Sequence, residues 1–562
     1  LTVNYYNDFF EIGQQKINFS FYELSLPDDD PVYTLKKVME DLNFSGLLAN
    51  CSDKGRTGYN PIMMYAVITY ANMRGIRSID RIVDLCERDI AFIWLTQGRK
   101  PKRDAFYDFK SKKLTSDILD NLNYQFMRRL QKEGFVTLKE LFIDGTKIEA
   151  NANRYTFVWR GSINYHLAGL LDSIDKLYSD YNSFLQDNGF GEKYEFGNAQ
   201  MFVIDGIDKV RDIIEKNRKR KITKHKKLSN NRIIEIDNCS PLEILKLQKN
   251  LMTIADGEGI VFVNGKGKRK PKLQQLYEEL EHCGQRLMSY KECFEIMGKD
   301  RNSYSKTDLE ATFMRMKEDH MLNGQLKPAY NVQIAVENYF IVHSYVSNDR
   351  TDYNTLIPVL EKHKEAFGEV LEEVTADSGY CSEKNLLYLK ENKIDSYIKL
   401  QDHEKRKTRA YSKDIGKYYN MKTMVFEDEQ VYICHDGREL RHINTEKKEQ
   451  NGYTQTYEVY GCSDCSGCEH KSKCLYKYNP DKDIDKNKVM KINEVWEELR
   501  EKSHANIQSE KGILKRQTRS IQTEGHFGDI KENEDFRRFN YRSSDKVYKE
   551  FMLFAIGRNI NK

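Results

Sequence analysis

The chain has 562 residues, more than one hydrophobic core usually organises, so we expect several domains or one core with large insertions. Its formal net charge of +4 excludes an extreme acidic or basic character overall, although basic residues are concentrated at 216–227 and 266–272. The 11 cysteines are mostly too scattered for a disulfide framework, and no apolar run approaches the roughly 20 residues of a membrane span. With no signal-peptide pattern at the N-terminus, these features predict a cytoplasmic protein with reduced thiols and no membrane partner.

Helical patterns extend from residue 31 to about residue 130. Apolar residues in YNPIMMYAVITYANMRG recur at helical spacing, and Gly75 is expected to end that helix. The pattern predicts an all-α domain over residues 1–135. Its functional interpretation is a helix-turn-helix-like domain that binds DNA ends, and the alternative is a plain helical packing or dimerisation domain.

Two aspartates follow short apolar runs bounded by glycine. Asp144 stands in LFIDGTKIEANAN and Asp377 in VTADSGY, so each is predicted at the exit of a buried strand. Glu524, in TEGHFGDIK, lies in a helical context. Together they supply the oxygen ligands and negative charge that a pair of Mg²⁺ ions needs, with Mn²⁺ as a substitute. Such a site suits phosphodiester chemistry, whereas a strand-end aspartate taken alone is more often a turn or cap residue.

The interval between the two aspartates is far longer than a strand-to-strand connection needs, so it is predicted to hold an inserted domain. Within it, apolar residues alternate by three and four and form a heptad seam. The seam comprises Leu273, Leu276, Leu280, Cys283, Leu287, Tyr290 and Phe294. It is interpreted either as one arm of an intramolecular helical hairpin or as an intermolecular coiled coil, and in both cases it is scaffold.

Two β-rich runs follow the insertion in AYNVQIAVENYFIVHSYVS, with a hairpin turn predicted at Glu337 and Asn338. Asp352 comes after the second run and before a helical pattern. It is interpreted mainly as an N-cap that accepts a backbone N–H, with a further carboxylate of the site as the alternative.

The segment around Glu524 is predicted to be one helix. Gln517, Glu524 and Lys531 are spaced by seven, so one face would present all three side chains. Gly525 and Gly528 each cost a helix roughly 1 kcal/mol relative to alanine. Their presence indicates either a close approach of DNA or another element to this backbone, or fraying near a helix end.

Four cysteines have metal-ligand spacing. Cys462, Cys465, Cys468 and Cys474 form C-x2-C-x2-C-x5-C, with His470 inside the motif and Cys434 upstream. The spacing favours a structural tetrahedral Zn²⁺, with an iron–sulfur cluster or unmetallated thiols as alternatives.

The most basic run, at 216–227, contains Lys219, Arg220 and Lys221. These residues are interpreted either as DNA phosphate contacts or as ordinary solvated surface.

Four long blocks together resemble a known family. They are FIDGTKIEANANRYTFVW, the stretch RNSYSKTDLEATFMRMKEDHMLNGQLKPAYNVQ, TADSGY and EGHFGDIK. In this order they resemble the DDE transposases of bacterial insertion sequences, in the subgroup with a long helical insertion after the first catalytic aspartate. The resemblance covers the chain from about Tyr59 onward.

The resemblance implies that Asp144, Asp377 and Glu524 are the catalytic, metal-binding carboxylates. In related transposases a lysine follows the glutamate by seven residues, a spacing that Lys531 fits. An arginine is expected four residues before the glutamate, where this chain has Ser520. Arg516 and Arg519 lie nearby and are taken, with Lys531, as candidate DNA contacts. The tyrosine of the family signature has no counterpart at the matching position.

The resemblance also implies the architecture. It is an α/β ribonuclease H-like catalytic core at 136–160, 325–400 and 500–562, with a mostly helical insertion at 161–324 and an insertion carrying the Cys-rich zinc-knuckle-like module at 401–499.

The implied activity is recognition of terminal inverted repeats on double-stranded DNA, followed by Mg²⁺-dependent cleavage and strand transfer to target DNA by a homodimer at the bacterial nucleoid. Two alternatives are a transposase-derived DNA-binding protein without catalysis and a nuclease of the same fold without strand transfer.

Overall fold

The structure, a computed structural model, describes most of the chain. The described residues are 17–19, 22–24, 26–51, 58–205, 231–265, 267–298, 301–316, 324–426, 429–450, 453–480 and 483–562. Lys219, Arg220 and Lys221 lie outside these ranges. The chain divides into two compact units, one formed by residues 1–151 with 330–562 and the other by residues 152–329. Both helices and sheets are present, which confirms the mixed α/β class. Among the described helices, none combines the length and apolar character that crossing a bilayer requires.

The first unit begins with a short hairpin and a group of helices. Their bounds are β1 Ile17–Phe19, β2 Tyr22–Leu24, α1 Pro31–Glu40, α2 Ser45–Ala49, α3 Pro61–Met73, α4 Ile79–Arg88, α5 Ile90–Thr96, α6 Arg103–Asp108 and α7 Ser116–Lys132. The Asn60 side chain caps α3 by accepting two backbone N–H groups, and Gly75, at φ 67°, follows its end as predicted. Because α3 is buried on nearly every face, it forms the centre of the helical group and not an amphipathic surface helix.

The central sheet of this unit carries the two aspartate motifs. Its strands are β3 Glu140–Glu149, β9 Leu326–Glu337, β10 Phe340–Ser347, β11 Glu373–Ala376 and β12 Asp395–Ile398. Across the sheet they run in the order β10, β9, β3, β11, β12, and β3, β11 and β12 are parallel to one another. The β9–β10 turn is at Asn338 and Tyr339, one residue later than predicted, because both residues adopt the positive φ that a two-residue hairpin requires.

Helices accompany this sheet and complete the unit. They are α11 Leu356–Phe367, α12 Glu383–Glu391, α16 Glu494–Gln508, α17 Glu510–Arg519, α18 Gly525–Gly528 and α19 Ser544–Ile560. Helix α19 packs on α3, where a Cβ at Gly557 would lie 2.8 Å from the backbone nitrogen of Met73. The C-terminal helix is thus fixed to the N-terminal helical group by a backbone approach that only glycine permits.

A five-stranded antiparallel sheet is inserted between β12 and α16. Its strands are β13 Lys422–Phe426, β14 Glu429–Ile433, β15 Glu439–Gln450, β16 Tyr453–Cys462 and β17 Val489–Ile492, with short helices α13 His403–Arg406, α14 Arg409–Ser412 and α15 Lys471–Cys474. Glu383 of α12 accepts hydrogen bonds from Tyr453, Gln455 and Asn493, at 3.0, 2.7 and 2.7 Å. The insertion is thereby joined to the helix that follows the Asp377 motif.

The second unit is mainly helical. Its elements are β4 Phe157–Trp159, α8 Arg160–Asp187, β5 Gln200–Asp205, β6 Asn231–Ile236, α9 Pro241–Gly257, α10 Lys272–Met297, β7 Ser303–Ser305 and β8 Thr312–Arg315. Helix α10 carries the heptad seam, and its Leu273, Leu276 and Leu280 are buried in a core shared with α8 and α9, against which Leu287 packs partly buried. The seam therefore packs within the chain, as the intramolecular interpretation predicted.

Candidate active site

The two motif aspartates lie side by side on neighbouring parallel strands. Ile143 of β3 pairs with Ala376 of β11, so Asp144 and Asp377 occupy the next matching positions. Adjacent strands are separated by about 4.8 Å, which brings the two carboxyl groups into one site. Asp377 ends its strand as predicted, but Asp144 does not, because β3 continues to Glu149. The prediction of a strand exit at Asp144 is wrong.

Helix α17 lies over the strand face that presents Asp144. Side chains alternate between the two faces of a strand, so Glu140, Phe142 and Asp144 share one face of β3. Lys515 of α17 contacts Glu140 and Glu373, and its ammonium lies 5.8 Å from the centre of the Phe142 ring. One helical turn further on, Arg519 reaches Asp144. The helix is therefore aligned with the sheet by cations that meet successive acidic side chains.

Asp144 is a partly buried carboxylate with three donors. Its Oδ1 accepts from the Gly145 N–H at 2.8 Å, and its Oδ2 accepts from Arg519 Nη1 at 2.9 Å and from Thr523 Oγ1 at 3.2 Å. Burial raises the pKa of Asp144 and the charge of Asp377 adds to the rise, while Arg519 opposes it. The site thus concentrates negative charge where burial makes an unpaired carboxylate costly.

Glu524 joins this group through the same arginine. Arg519 Nη2 lies 3.3 Å from Glu524 Oε1, so the guanidinium connects the buried Asp144 with a glutamate side chain that is 60% exposed. Residues Ser520–Glu524 form a π-helical turn between α17 and α18. Such turns are rare and occur frequently at functional sites.

The π turn explains the position of the arginine. An α-helical count expects an arginine four residues before Glu524, where Ser520 stands, whereas Arg519 is five residues before it. A π turn joins residues i and i+5, one residue more than an α turn, so Arg519 contacts Glu524 despite the longer spacing. Sequence reasoning at 3.6 residues per turn had no signal with which to find this contact.

A second π turn, Asp529–Asn533, changes the predicted helix face. Gln517 and Glu524 are exposed, but Lys531 is only 9% exposed. The prediction that Gln517, Glu524 and Lys531 share one face is wrong, because each π turn shifts the side chains that follow it.

Asp352 is tied to the site through side chains and not through a helix cap. Helix α11 begins at Leu356 after Thr355, so the N-cap interpretation of Asp352 is wrong. Its Oδ1 accepts from Asn331 Nδ2 at 2.7 Å and from Gln333 Nε2 at 2.9 Å, and both amides come from β9. These partners lie on β9, 21 and 19 residues before Asp352, and the sequence offered no local sign of them.

Gln333 also accepts a hydrogen bond from the buried hydroxyl of Tyr380, which follows Asp377 in the DSGY motif. Burial raises the pKa of Tyr380 well above its usual value, and the charges of Asp352, Asp144 and Asp377 raise it further. Tyr380 therefore remains a neutral donor in a region of three carboxylates.

The glycines beside the two aspartates make room for this network. A Cβ at Gly145 would collide with the side-chain amide of Gln333, and a Cβ at Gly379 would lie 3.0 Å from Asp352 Oδ2. These glycines are explained by close packing against polar side chains. Gly525 and Gly528 differ, because a Cβ at either would meet no described atom within 4 Å beyond its chain neighbours and the backbone of its own helix. Both are exposed beside Glu524, so neither is explained by packing of a described protein element.

The candidate metal-ligand side chains are not arranged around a metal ion in this conformation. Within the described ranges, no three His, Cys, Asp or Glu side chains form a group that could hold a metal ion. The carboxylates of Asp144 and Glu524 instead share the guanidinium of Arg519. Oxygen ligands of the kind that Mg²⁺ uses are present, but the site as described holds a side-chain cation.

The motif cysteines lie at one end of the inserted sheet. Cys462 ends β16, Cys474 ends α15, and Cys434 lies in the β14–β15 turn next to the small core that contains Cys462 and Cys465. The sulfurs of Cys434 and Cys465 accept backbone N–H groups at 3.3 and 3.4 Å. Burial raises the pKa of Cys462 to about 11, which favours the thiol in the absence of a metal.

Cys468 lies beside Asp436, and His470 stacks edge-on against His435 with 4.7 Å between the ring centres. Burial is the main cause of the raised pKa of Cys468 and of Cys474.

Of the other predicted DNA contacts, Arg516 is half-buried on α17. Lys531 is buried in this conformation, so its ammonium would reach a phosphate only after a local movement.

Two family models match the chain. The model described as "Transposase DDE domain" matches residues 433–562, and the model described as "Transposase domain (DUF772)" matches residues 20–112. The first includes Glu524, whereas Asp144 and Asp377 lie outside both. No match was found among curated proteins or among solved structures. The two family matches confirm the resemblance that the sequence motifs predicted.

Proposed function

We propose that this chain, whose two matched domains are typical of bacterial insertion-sequence transposases, binds the terminal inverted repeats of its element and catalyses DNA cleavage and strand transfer. The observation that carries the proposal is the meeting of three acidic residues from separate segments. Asp144 and Asp377 lie at matching positions of parallel strands, and Glu524 is joined to Asp144 through Arg519. A metal-dependent nuclease or transferase of phosphodiesters uses such a cluster of oxygen ligands.

The strand arrangement supports a ribonuclease H-like core. A hairpin, β9 and β10, lies on one side of β3, and the parallel strands β11 and β12 lie on the other, with helices packed alongside. In this proposal the catalytic core comprises residues 136–160, 325–400 and 500–562. The helical insertion at 161–324 and the insertion at 401–499 are accessory, and residues 1–135 contact DNA.

Asp144, Asp377 and Glu524 are the residues that would hold Mg²⁺. When bound, such an ion activates a water or a 3′-hydroxyl and stabilises charge on the leaving oxygen. Around it, the side chains of this protein have positioning roles. Tyr380 donates to Gln333, and Gln333 donates to Asp352, so the loop after Asp377 is fixed to β9. Gly145 permits the close approach of β3 and Gln333 on which this arrangement depends.

The exposed surface beside Glu524 is the proposed place for the DNA backbone. Gly525 and Gly528 leave it without side chains, and Arg516 and Arg519 lie on the preceding helix. Lys531 and the basic residues Lys219, Arg220 and Lys221 stay predicted DNA contacts. We further propose that the active species is a homodimer on DNA, in which each subunit engages one end.

The cysteine module is proposed to hold a structural Zn²⁺ through Cys462, Cys465, Cys468 and Cys474, with Cys434 as a further thiol beside them. Zinc binding requires thiolates, and burial now favours thiols, so binding would release protons. The small core of this sheet makes such a crosslink useful, because few apolar side chains are buried there.

The test uses labelled DNA that carries the inverted repeats flanking the gene of this element. Asp144→Asn and Asp377→Asn should each abolish Mg²⁺-dependent cleavage and leave end binding in a gel-shift assay nearly unchanged, because loss of a metal ligand removes the chemical step and not the phosphate contacts. Asp395→Asn is the matched control, since Asp395 is an exposed residue at the start of β12.

The outcomes separate the competing functions. Normal cutting by either active-site variant refutes the assignment of the site. Binding without cutting by the wild-type protein favours the DNA-binding protein that has lost catalysis. Cutting without joining to a target favours a nuclease of the same fold.

A further inference from the structure

A side-chain cation occupies the middle of the proposed catalytic carboxylates. Arg519 Nη1 lies 2.9 Å from Asp144 Oδ2, and Nη2 lies 3.3 Å from Glu524 Oε1. The arginine side chain is 14% exposed, so it is largely withdrawn from solvent. A planar guanidinium that contacts two carboxylates uses oxygens that a divalent ion would use and offsets part of their negative charge. Arg519 and a metal ion therefore compete for the same oxygens.

Arg519 is the last of three cations that recur every four residues along α17. Lys511 contacts Glu373, Lys515 contacts Glu140 and Glu373, and Arg519 contacts Asp144. The first two pair with glutamates at the beginnings of β11 and β3, outside the proposed metal site. They hold the helix against the sheet, and Lys515 is buried to nearly the same extent as Arg519, at 13% exposed. Anchoring of α17 therefore does not depend on Arg519 alone.

The surroundings of Arg519 allow it to leave. It ends α17, and the π turn begins at the next residue, so it stands at a change of helix geometry. Glu524, its second partner, is 60% exposed, and Gly525 beside it opens the surface to solvent. A DNA phosphate at this surface would offer a guanidinium the paired acceptors that it now finds on two carboxylates. The exchange replaces one charge-assisted contact with another.

We infer that Arg519 is an exchangeable counter-ion that keeps divalent cations out of the site until DNA binds. In the DNA-free protein it offsets part of the negative charge of Asp144 and Glu524. When a DNA end is bound, its guanidinium moves to a backbone phosphate and the carboxylates become available to the metal. This inference rests on the proposed function, because it takes these carboxylates as metal ligands and DNA as the substrate. Metal loading and DNA binding then favour each other, as linkage requires.

The experiment measures Mn²⁺ binding to the full-length protein without DNA, by titration with electron paramagnetic resonance of the free ion. Arg519→Gln should bind Mn²⁺ about tenfold more tightly than the wild-type protein, because the competing cation is gone. Lys515→Gln is the matched control and should leave the affinity unchanged, since Lys515 is an equally buried cation one turn away that contacts neither Asp144 nor Glu524. Arg519→Lys, which keeps a charge but loses the planar fork, should give a smaller increase and carries the test if Arg519→Gln does not fold.

Equal Mn²⁺ affinity of the wild-type and Arg519 variants overturns the inference, as does weaker binding by a folded Arg519→Gln protein. Asp144→Asn separates this failure from failure of the proposed function. If Asp144→Asn abolishes Mn²⁺ binding while Arg519→Gln leaves it unchanged, the metal site is right and the exchange is wrong. If Asp144→Asn changes the Mn²⁺ affinity neither of the wild-type protein nor of Arg519→Gln, the metal site itself is wrong and the inference falls with it.

Discussion

Glu550 offers a stringent test of how the C-terminal helix is held in place. Its side chain is 3% exposed, and its carboxylate accepts from Arg77 Nη1 at 3.0 Å. The same two oxygens accept from the backbone N–H groups of Asn540 and Tyr541, at 3.0 and 3.3 Å. Arg77 in turn donates to the Arg538 carbonyl at 3.1 Å. One buried carboxylate thus connects α19, the loop after α3 and the segment that follows the Glu524 region.

Glu550→Gln keeps the shape of the side chain but replaces one acceptor oxygen with an NH₂ group. In either orientation that group faces donors, so at least one hydrogen bond is lost and Arg77 loses its counter-charge. Removing one partner of a buried ion pair lowers the free energy of unfolding by about 3–5 kcal/mol. Burial raises the pKa of Glu550 despite the charges of Arg77 and Lys110, so burial already disfavours the charged carboxylate. We therefore expect a loss of stability at the lower end of this range, about 3 kcal/mol.

The assay is amide hydrogen exchange of the segment 536–543. A loss of about 3 kcal/mol corresponds to roughly 150-fold faster exchange of the Asn540 and Tyr541 amides, since each 1.36 kcal/mol is a factor of ten. Glu532→Gln is the control, because Glu532 pairs with Arg537 at the surface and is 62% exposed. A surface pair contributes about 0–1 kcal/mol, so its removal should change exchange by about fivefold at most. Exchange in Glu550→Gln within threefold of the wild-type rate would refute the reasoning.

Three further changes have definite expected outcomes. Gly145→Ala should destabilise the protein by about 1–3 kcal/mol in thermal unfolding, because the added Cβ collides with the Gln333 side chain. Gly169→Ala is the control, because a Cβ there lies in open space on α8, and equal effects of the two changes would contradict the packing argument. Burial lowers the pKa of His363 to about 4 and that of His343 well below its usual value, so between about pH 6.5 and 4 the unfolded chain binds more protons than the folded protein, and stability should fall as the pH drops through this range. His363→Gln should flatten this pH dependence of the free energy of unfolding, measured in urea, and an unchanged slope would contradict the assignment. Changing Cys465 and Cys468 to serine together should lower both the melting temperature and a zinc content of about one ion per chain, and a wild-type protein purified without chelator that contains no zinc would disprove the zinc site.

Local patterns predicted the elements that carry the site better than the contacts within it. The apolar runs before Asp144 and Asp377 form buried parallel strands because such runs suit a sheet covered on both faces. Their register, which sets the two carboxylates side by side, depends on pairing across more than 200 residues and has no local signal. The contacts of Asp352 likewise had no local signal, because its partners Asn331 and Gln333 lie on β9, 21 and 19 residues earlier in the chain.

Helix geometry accounts for the predictions that were wrong near Glu524. A spacing of seven implies one face only if the helix keeps 3.6 residues per turn, and two π turns break that rule. Helix α3 illustrates the opposite problem, because its apolar residues recur on two faces and the helix is buried all round. Periodicity therefore indicated a helix in both places. Which faces are buried and where the side chains point depend on the tertiary structure and could not be predicted from periodicity.

The most direct test of the catalytic assignment is cleavage of labelled element ends by Glu524→Gln across a range of Mg²⁺ concentrations. Glu532→Gln is measured beside it, because Glu532 lies eight residues further along the same segment and pairs only with Arg537 among the ion pairs of the described chain. If Glu524 completes the site with Asp144 and Asp377, Glu524→Gln cuts at no Mg²⁺ concentration while Glu532→Gln cuts at the wild-type rate. Cleavage by Glu524→Gln at the wild-type rate would contradict the three-carboxylate site.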